Sequence, residues 1–180
     1  IDGAKGVEQR TIKLMDVCRL RDTPIIAFIN KMDREIRNPI DLLDEIETVL
    51  KISCAPINWP IGCGKDFKGV YNLRADTIHV FQQGQGSIIP NDLRIEGLYS
   101  DEASDFLDYL AVSVREEIEL VKGATNPFDM EMFLRGQLAP VFFGTALANF
   151  GIREMLDSFV DLAPPPQFRA AIERNVAASE

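Results

Sequence analysis

The string Asn30-Lys31-Met32-Asp33 directly follows an apolar run at residues 25–29. A run of this kind predicts a buried strand, so the four residues would lie at its carboxyl end. A carboxylate held there can accept two hydrogen bonds from adjacent donors, which is what the N1 and N2 positions of guanine offer. Adenine lacks that donor pair, and such a site would discriminate against it on the order of 10⁴-fold. Asp33 is the candidate that selects guanine, Lys31 would cover the base with its methylene stem, and Asn30 would hold the loop and reach the N7 side.

A second candidate loop, Gly144-Thr145-Ala146, follows another apolar run at residues 140–143. If the two runs are strands of one parallel sheet, their carboxyl ends meet at a common edge and the two loops lie side by side. The backbone N–H of Ala146 would then reach guanine O6, and Thr145 would hydrogen-bond Asp33. By itself the Gly-Thr-Ala string is equally typical of an ordinary strand-to-helix turn.

Helices and strands alternate around these loops. Apolar spacing predicts helices at residues 7–20 and 152–162, and Asn38 followed by Pro39 predicts the start of another helix that runs to Leu50. Together with the two apolar runs, this order predicts an α/β fold: a parallel sheet with flanking helices. The sheet would be interrupted by a smaller α+β insert.

The insert is predicted to begin where prolines and glycines break the pattern after Ile52. Residues 69–73 and 77–81 predict one hairpin, and residues 87–89 and 93–95 a second. One long helix is expected from about residue 100 to Gly123 and a shorter one from Asn126-Pro127 to Gly136. The predicted divisions are therefore residues 1–53 and 139–166 for the sheet domain, 54–138 for the insert and 167–180 for a linker or tail.

Composition excludes several classes of protein. The 180 residues carry a net charge of −9, which disfavours general or sequence-specific nucleic-acid binding. No run approaches the ~18 apolar residues of a membrane span. Cys18, Cys54 and Cys63 lack the spacing of a disulfide or zinc framework, so reduced thiols in the cytoplasm are expected. The chain opens on Ile1 rather than methionine, and we expect it to be a piece of a longer protein.

Three other patterns resemble functional sites, and none of them supports one. Gly64-Lys65-Asp66 is similar to the end of a phosphate loop, but Trp59 stands where that motif needs glycine and Asp66 where it needs serine or threonine. His79 has no nucleophile or acid partner that the sequence suggests. The carboxylates of residues 41–47 and 116–119 are most simply solvated helix faces. No catalytic residue and no metal ligand is therefore predicted.

Taken together, these segments resemble the GTP-binding domain of translational GTPases, and within that family most closely the bacterial release-factor-3 group. The resemblance covers residues 1–166 and is carried by residues 1–8, 24–33, 59–65, 67–71, 140–147 and 149–151. The amino-acid sequences of residues 54–60 and 144–147 resemble release factor 3 more than elongation factor G.

The resemblance implies a partial P-loop-GTPase-type sheet that binds GTP or GDP through its guanine base, with the binding positions Asn30, Lys31, Asp33, Thr145 and Ala146. It also implies the ribosome and codon-reading release factors as partners, whose release the complete protein would promote in termination while hydrolysing GTP. The family's phosphate loop, its Mg²⁺ ligands and its catalytic switch would all precede Ile1. The chain alone is therefore expected not to hydrolyse GTP.

Two alternatives stay open at this point. The chain could come from an elongation-factor-G-like or ribosome-protection GTPase, or it could act as a non-catalytic module that contacts the ribosome through its insert.

Overall fold

The structure is a computed structural model that describes residues 1–21, 23–82 and 93–165, together with the backbone of two short strands near the end of the chain. Its α-helices are α1 Gln9–Arg19, α2 Pro39–Leu50, α3 Asp101–Leu107, α4 Ala111–Ala124, α5 Met130–Leu134 and α6 Ile152–Leu162. Its strands are β1 Ala27–Ile29, β2 Ser53–Pro56, β3 Asn58–Ile61, β4 Gly69–Asn72, β5 Thr77–Val80, β6 Arg94–Glu96, β7 Leu138–Phe143, β8 Arg169–Ala170 and β9 Asn175–Val176.

The α/β fold predicted from the sequence is confirmed. Strands β1, β7 and β2 form a parallel sheet in that order. Every residue of the central strand β7 is buried, which agrees with its continuous apolar run. Residues 1–3 extend the sheet beyond β1, because Asn30 N donates to Ile1 O at 2.8 Å and Gly3 N donates to Asn30 O at 2.9 Å. The start of the chain therefore lies at the same sheet edge as the Asn-Lys-x-Asp loop.

Strand β2 is an addition that the sequence patterns did not indicate. It pairs with β7 from Ser53 to Pro56, so it belongs to the parallel sheet, and the predicted start of the insert at residue 54 falls inside it. The residue types Ser-Cys-Ala-Pro carry no β-branched or aromatic side chain, which left no strand signal. Burial of Cys54 and Ala55 against β7 determines the strand instead.

The insert contains an antiparallel sheet in the order β3-β4-β5-β6. The predicted first hairpin is present, with β4 and β5 paired along the whole of both strands. In the second predicted hairpin, residues 93–95 correspond to β6, which pairs with β5, while residues 87–89 lie outside the described residues. Pro60 lies in the edge strand β3, where a missing N–H is tolerated.

The single long helix predicted after residue 100 is wrong in one respect. Asp108 has φ +53°, and it separates α3 from a short 3₁₀ turn and α4. With ψ −127°, its backbone lies outside both helical regions, so the helix cannot continue through it. Lys68 Nζ meets the freed carbonyls of Phe106 and Leu107 at 2.8 and 3.2 Å, so the break is satisfied from the neighbouring sheet.

The helix starts differ in how well they were predicted. Asn38 caps α2 as expected, since its side-chain oxygen accepts a hydrogen bond from Ile40 N at 2.8 Å. The start of α5 is not at Asn126, because Asp129 is its N-cap and accepts from Met132 N at 2.8 Å. Within the predicted tail, β8 and β9 form a short antiparallel pair. None of the helices in the described part of the chain is long and apolar enough to cross a membrane.

Candidate guanine-binding site

The parallel register brings the two candidate loops together. Ile29 of β1 lies opposite Phe143 of β7, so residues 30–33 and 144–146 leave the sheet side by side. Gly144 N donates to Ile29 O at 3.1 Å, and Met32 N donates to Gly144 O at 3.2 Å. These backbone hydrogen bonds continue the ladder past the end of the strands and hold the two loops in contact.

Thr145 orients Asp33, as the sequence predicted. The Thr145 Oγ1 hydroxyl donates to Asp33 Oδ1 at 2.5 Å, and the threonine is only 1% exposed. Its own backbone is held on both sides by Phe150, because Thr145 N donates to Phe150 O at 3.0 Å and Phe150 N donates to Thr145 O at 3.1 Å. Asp33 is half-buried, and a carboxylate that accepts one hydrogen bond keeps capacity to accept others.

Asn30 ties the two loops through its side-chain oxygen. Oδ1 accepts from Lys31 N at 2.7 Å and from Ala146 N at 2.9 Å. These two hydrogen bonds join the loops as expected, while the reach of Asn30 to N7 of a base stays a prediction. The Ala146 N–H, which was expected to be directed at guanine O6, is directed at Asn30 instead. Its contact with a base stays a prediction.

Lys31 has an acidic partner that sequence reasoning missed. Lys31 Nζ forms an ion pair with Asp2 Oδ2 at 2.7 Å, and its side chain is 41% exposed. Asp2 also accepts from Ala4 N and Lys5 N. The hydrogen bond from Lys31 is the main cause that lowers the pKa of Asp2 to about 2. The signal for this pair was available, since residues 1–3 resemble the end of a neighbouring parallel strand and would share the loop edge.

A glycine is required between β7 and Thr145. A Cβ atom on Gly144 would lie 2.5 Å from Phe150 O and 2.8 Å from the ring of Phe28. Lys31, by contrast, accepts a left-handed backbone with φ +75°. A strained position on one loop and a forced glycine on the other indicate that tertiary packing, rather than local preference, determines their shape.

The other patterns do not supply side chains to this site. Gly64, Lys65 and Asp66 form a single 3₁₀ turn. His79 lies in β5, with Nε2 3.4 Å from Thr77 Oγ1. Among the described residues, no group of three or more His, Cys, Asp or Glu side chains could hold a metal ion.

A parallel α/β sheet interrupted by an antiparallel insert, with an Asn-Lys-x-Asp loop at its carboxyl edge, defines the class of GTP-binding domains found in translational GTPases. The family model described as "Elongation factor Tu GTP binding domain" matches residues 1–165, and the chain belongs to that family.

The fold is also similar to the crystal structure of a Thermus thermophilus protein designated ttk003000868, with a TM-score of 0.64 and 16% sequence identity. That match covers 92% of this chain but only 26% of the other, so this chain spans about a quarter of its length.

Proposed function

We propose that Asn30, Lys31, Asp33, Thr145 and Ala146 form the guanine-recognition part of the nucleotide site in this GTP-binding domain. The observation that carries the proposal is the Thr145 Oγ1–Asp33 Oδ1 hydrogen bond of 2.5 Å. It holds the carboxylate in one orientation before any base arrives, and a preorganised acceptor loses little on binding.

The residues fit guanine by their hydrogen-bonding chemistry. Asp33 accepts from guanine N1 and N2, which adenine cannot supply in that arrangement. The stem of Lys31 covers one face of the base, and its ammonium group stays paired with Asp2. Ala146 N donates to Asn30 Oδ1 at 2.9 Å, so a base oxygen that approaches Ala146 would share this donor with Asn30.

Of the parts of a guanine nucleotide, these residues match only the base. These five residues would contact the base and not the phosphates or Mg²⁺, so we expect them to contribute selectivity for guanine and only part of the affinity for a nucleotide. In the complete protein the bound nucleotide would supply a hydrolysable phosphate bond.

The specificity change of one variant tests the base-binding role. Asp33→Asn exchanges an acceptor for an amide donor, so it should weaken GDP binding by ~100-fold and favour xanthosine diphosphate, whose C2 carbonyl replaces the amino group. Titration of the 180-residue chain with GDP, ADP and xanthosine diphosphate by ligand-observed NMR measures this.

The matched control is Asp105→Asn, an exposed aspartate of α3. It should bind like the unmodified chain. Equal affinity of the unmodified chain for GDP and ADP, or no exchange of preference in Asp33→Asn, would refute the proposal.

At the level of the complete protein, we propose a role in translation termination, in which it promotes the departure of codon-reading release factors from the ribosome in the cytoplasm. The support is that the sequences of residues 54–60 and 144–147 resemble release factor 3 more than elongation factor G, within the family to which the chain belongs. A reconstituted ribosome assay of the complete protein tests it: GTP-dependent recycling of a release factor is expected. Translocation activity instead would assign the chain to an elongation-factor-G-like GTPase.

A further inference from the structure

The insert contacts the loop of residues 30–33 directly. Gly64 N, at the start of the 3₁₀ turn in the insert, donates to Met32 O at 3.0 Å. Met32 N is engaged by Gly144 O at 3.2 Å, and its side chain is fully buried. The variable position of the Asn-Lys-x-Asp motif is therefore bonded on one side to the opposing loop and on the other side to the insert.

A second contact reaches the loop of residues 144–146. Asn58, the first residue of β3, is fully buried and makes two hydrogen bonds to the backbone of Phe143. Its Oδ1 accepts from Phe143 N at 2.7 Å, and its Nδ2 donates to Phe143 O at 3.2 Å. The same Nδ2 lies 3.2 Å from Glu154 Oε2 on α6. Because Phe143 immediately precedes Gly144, Asn58 holds the exit of β7.

A third contact is aromatic. Phe67 and Phe81 of the insert pack against Phe150, with ring centroids 5.8 and 5.2 Å from it. Phe150 is the residue whose backbone pairs with Thr145 on both sides. Packing on Phe150 therefore restrains Thr145, whose hydroxyl orients Asp33.

From these three contacts we infer that the insert positions the guanine loops, and that Asn58 is the positioning residue at its centre. The inference rests on the proposed guanine-binding function and extends it. The insert is part of the base-recognition apparatus, so a change in the β3–β4 region alters guanine affinity although no residue of that region touches the base.

A pair of matched variants separates positioning from general stability. Asn58 and Asn72 lie opposite each other in the β3–β4 register, and both donate to Glu154. Only Asn58 bonds to Phe143. In Asn58→Asp the new oxygen would face Phe143 O and Glu154 without a donor, whereas Asn72→Asp keeps the acceptor for Arg74 N and Ala75 N.

The primary measurement is amide hydrogen exchange in the nucleotide-free chain. Loss of a buried hydrogen bond should speed exchange at the Met32 and Gly144 amides by about tenfold in Asn58→Asp relative to Asn72→Asp. GDP affinity should fall by a similar factor in the same comparison.

If Asn58→Asp fails to fold, as judged by circular dichroism, a pair of less disruptive substitutions provides the test. Phe150→Leu weakens the aromatic contact, and Phe128→Leu changes another half-buried ring, one that pairs with Phe133 away from the loops. Faster exchange at Met32 and Gly144 in Phe150→Leu alone supports the inference.

Equal exchange at those amides within each pair overturns the inference, whatever the nucleotide titration gives. Failure of the unmodified chain to prefer GDP over ADP would instead refute the proposed function, while the exchange result still decides whether the insert positions the loops.

Discussion

At the scale of single residues, the main interaction at the site is the hydrogen bond from Thr145 to Asp33. The two lie 112 positions apart in the sequence, and one hydroxyl joins them. A hydrogen bond to an ionised carboxylate is stronger than one between neutral groups, and a buried threonine side chain has little freedom to find another partner. The orientation of the Asp33 carboxylate therefore depends on a residue that is distant in the sequence.

Replacement of this hydroxyl should weaken guanine binding while the fold is kept. Thr145→Val conserves shape and removes the donor to Asp33, so we expect GDP affinity to fall by ~10-fold or more. Thr125→Val is the matched control, because Thr125 Oγ1 also makes one hydrogen bond, to Val121 O at 2.7 Å on α4. Both should lose similar stability in urea, and NMR titration should show lower GDP affinity only for Thr145→Val. Equal GDP affinities for the two variants would contradict the role of the hydroxyl.

The ion pair of Asp2 with Lys31 should leave a signature in the pH dependence of stability. The pKa of Asp2 in the folded chain, about 2, lies below the ~3.9 of an aspartate in an unfolded chain. Its stabilising contribution is therefore present above pH ~4 and is lost as the pH falls toward 2. The free energy of unfolding of Asp2→Asn should lie below that of the unmodified chain at pH ~6, and the gap should close between about pH 4 and pH 2. A gap that does not depend on pH would exclude the ion pair as its cause.

At the scale of secondary-structure elements, the clearest local determinant is the cap of α2. This helix leads from the guanine loop back toward β2, and four of its side chains, Leu42, Leu43, Ile46 and Leu50, are buried. The side chain of Asn38 satisfies one of the four N–H groups that a helix start leaves without a partner. Asn126 offers a comparison, because the sequence pattern predicts a helix start there but the structure shows Asp129 as the cap.

Asn38→Ala should lower the free energy of unfolding by about 1 kcal/mol, the usual loss when a capping side chain is removed. Asn126→Ala is the control, since Asp129 and not Asn126 caps α5. Asn126 is exposed, and its replacement should change stability by less than ~0.5 kcal/mol. Urea unfolding of both variants measures the difference, and equal losses would contradict the assignment of Asn38 as the cap.

The elements also show how far the sequence could predict the structure. The meeting of Asp33 and Thr145 was predictable, because apolar runs marked both strands and parallel strands bring their carboxyl ends to one edge. The engagement of the Ala146 N–H by Asn30 was not, because a side-chain rotamer in a turn leaves no periodic signal. Strand β2 and the break at Asp108 were missed for a related reason, since partners distant in sequence determine both.

At the scale of the whole molecule, the parallel sheet and the insert share one hydrophobic core. A single cluster of buried side chains includes Ile29 and Val141 of the parallel sheet and Val70 and Ile78 of the antiparallel sheet. The polypeptide crosses from one sheet to the other at residue 57, whose N–H donates to Val141 O at 2.9 Å. Although the insert has its own sheet, its apolar face is completed by residues outside it, and independent folding of the two parts would expose apolar surface on each.

Trp59 can report on whether the two sheets unfold together. It is the only tryptophan, is 1% exposed, and its ring packs edge-on to Phe143 of β7 at 5.2 Å while Nε1 lies 3.3 Å from Glu117 Oε2 on α4. Since this side chain joins the insert to the central strand, we expect its fluorescence and the far-ultraviolet circular dichroism to change at the same urea concentration. A fluorescence midpoint clearly below that of circular dichroism would mean that the insert separates first. In that case β7 and the loop that carries Thr145 would lose their support before the rest of the fold unfolds.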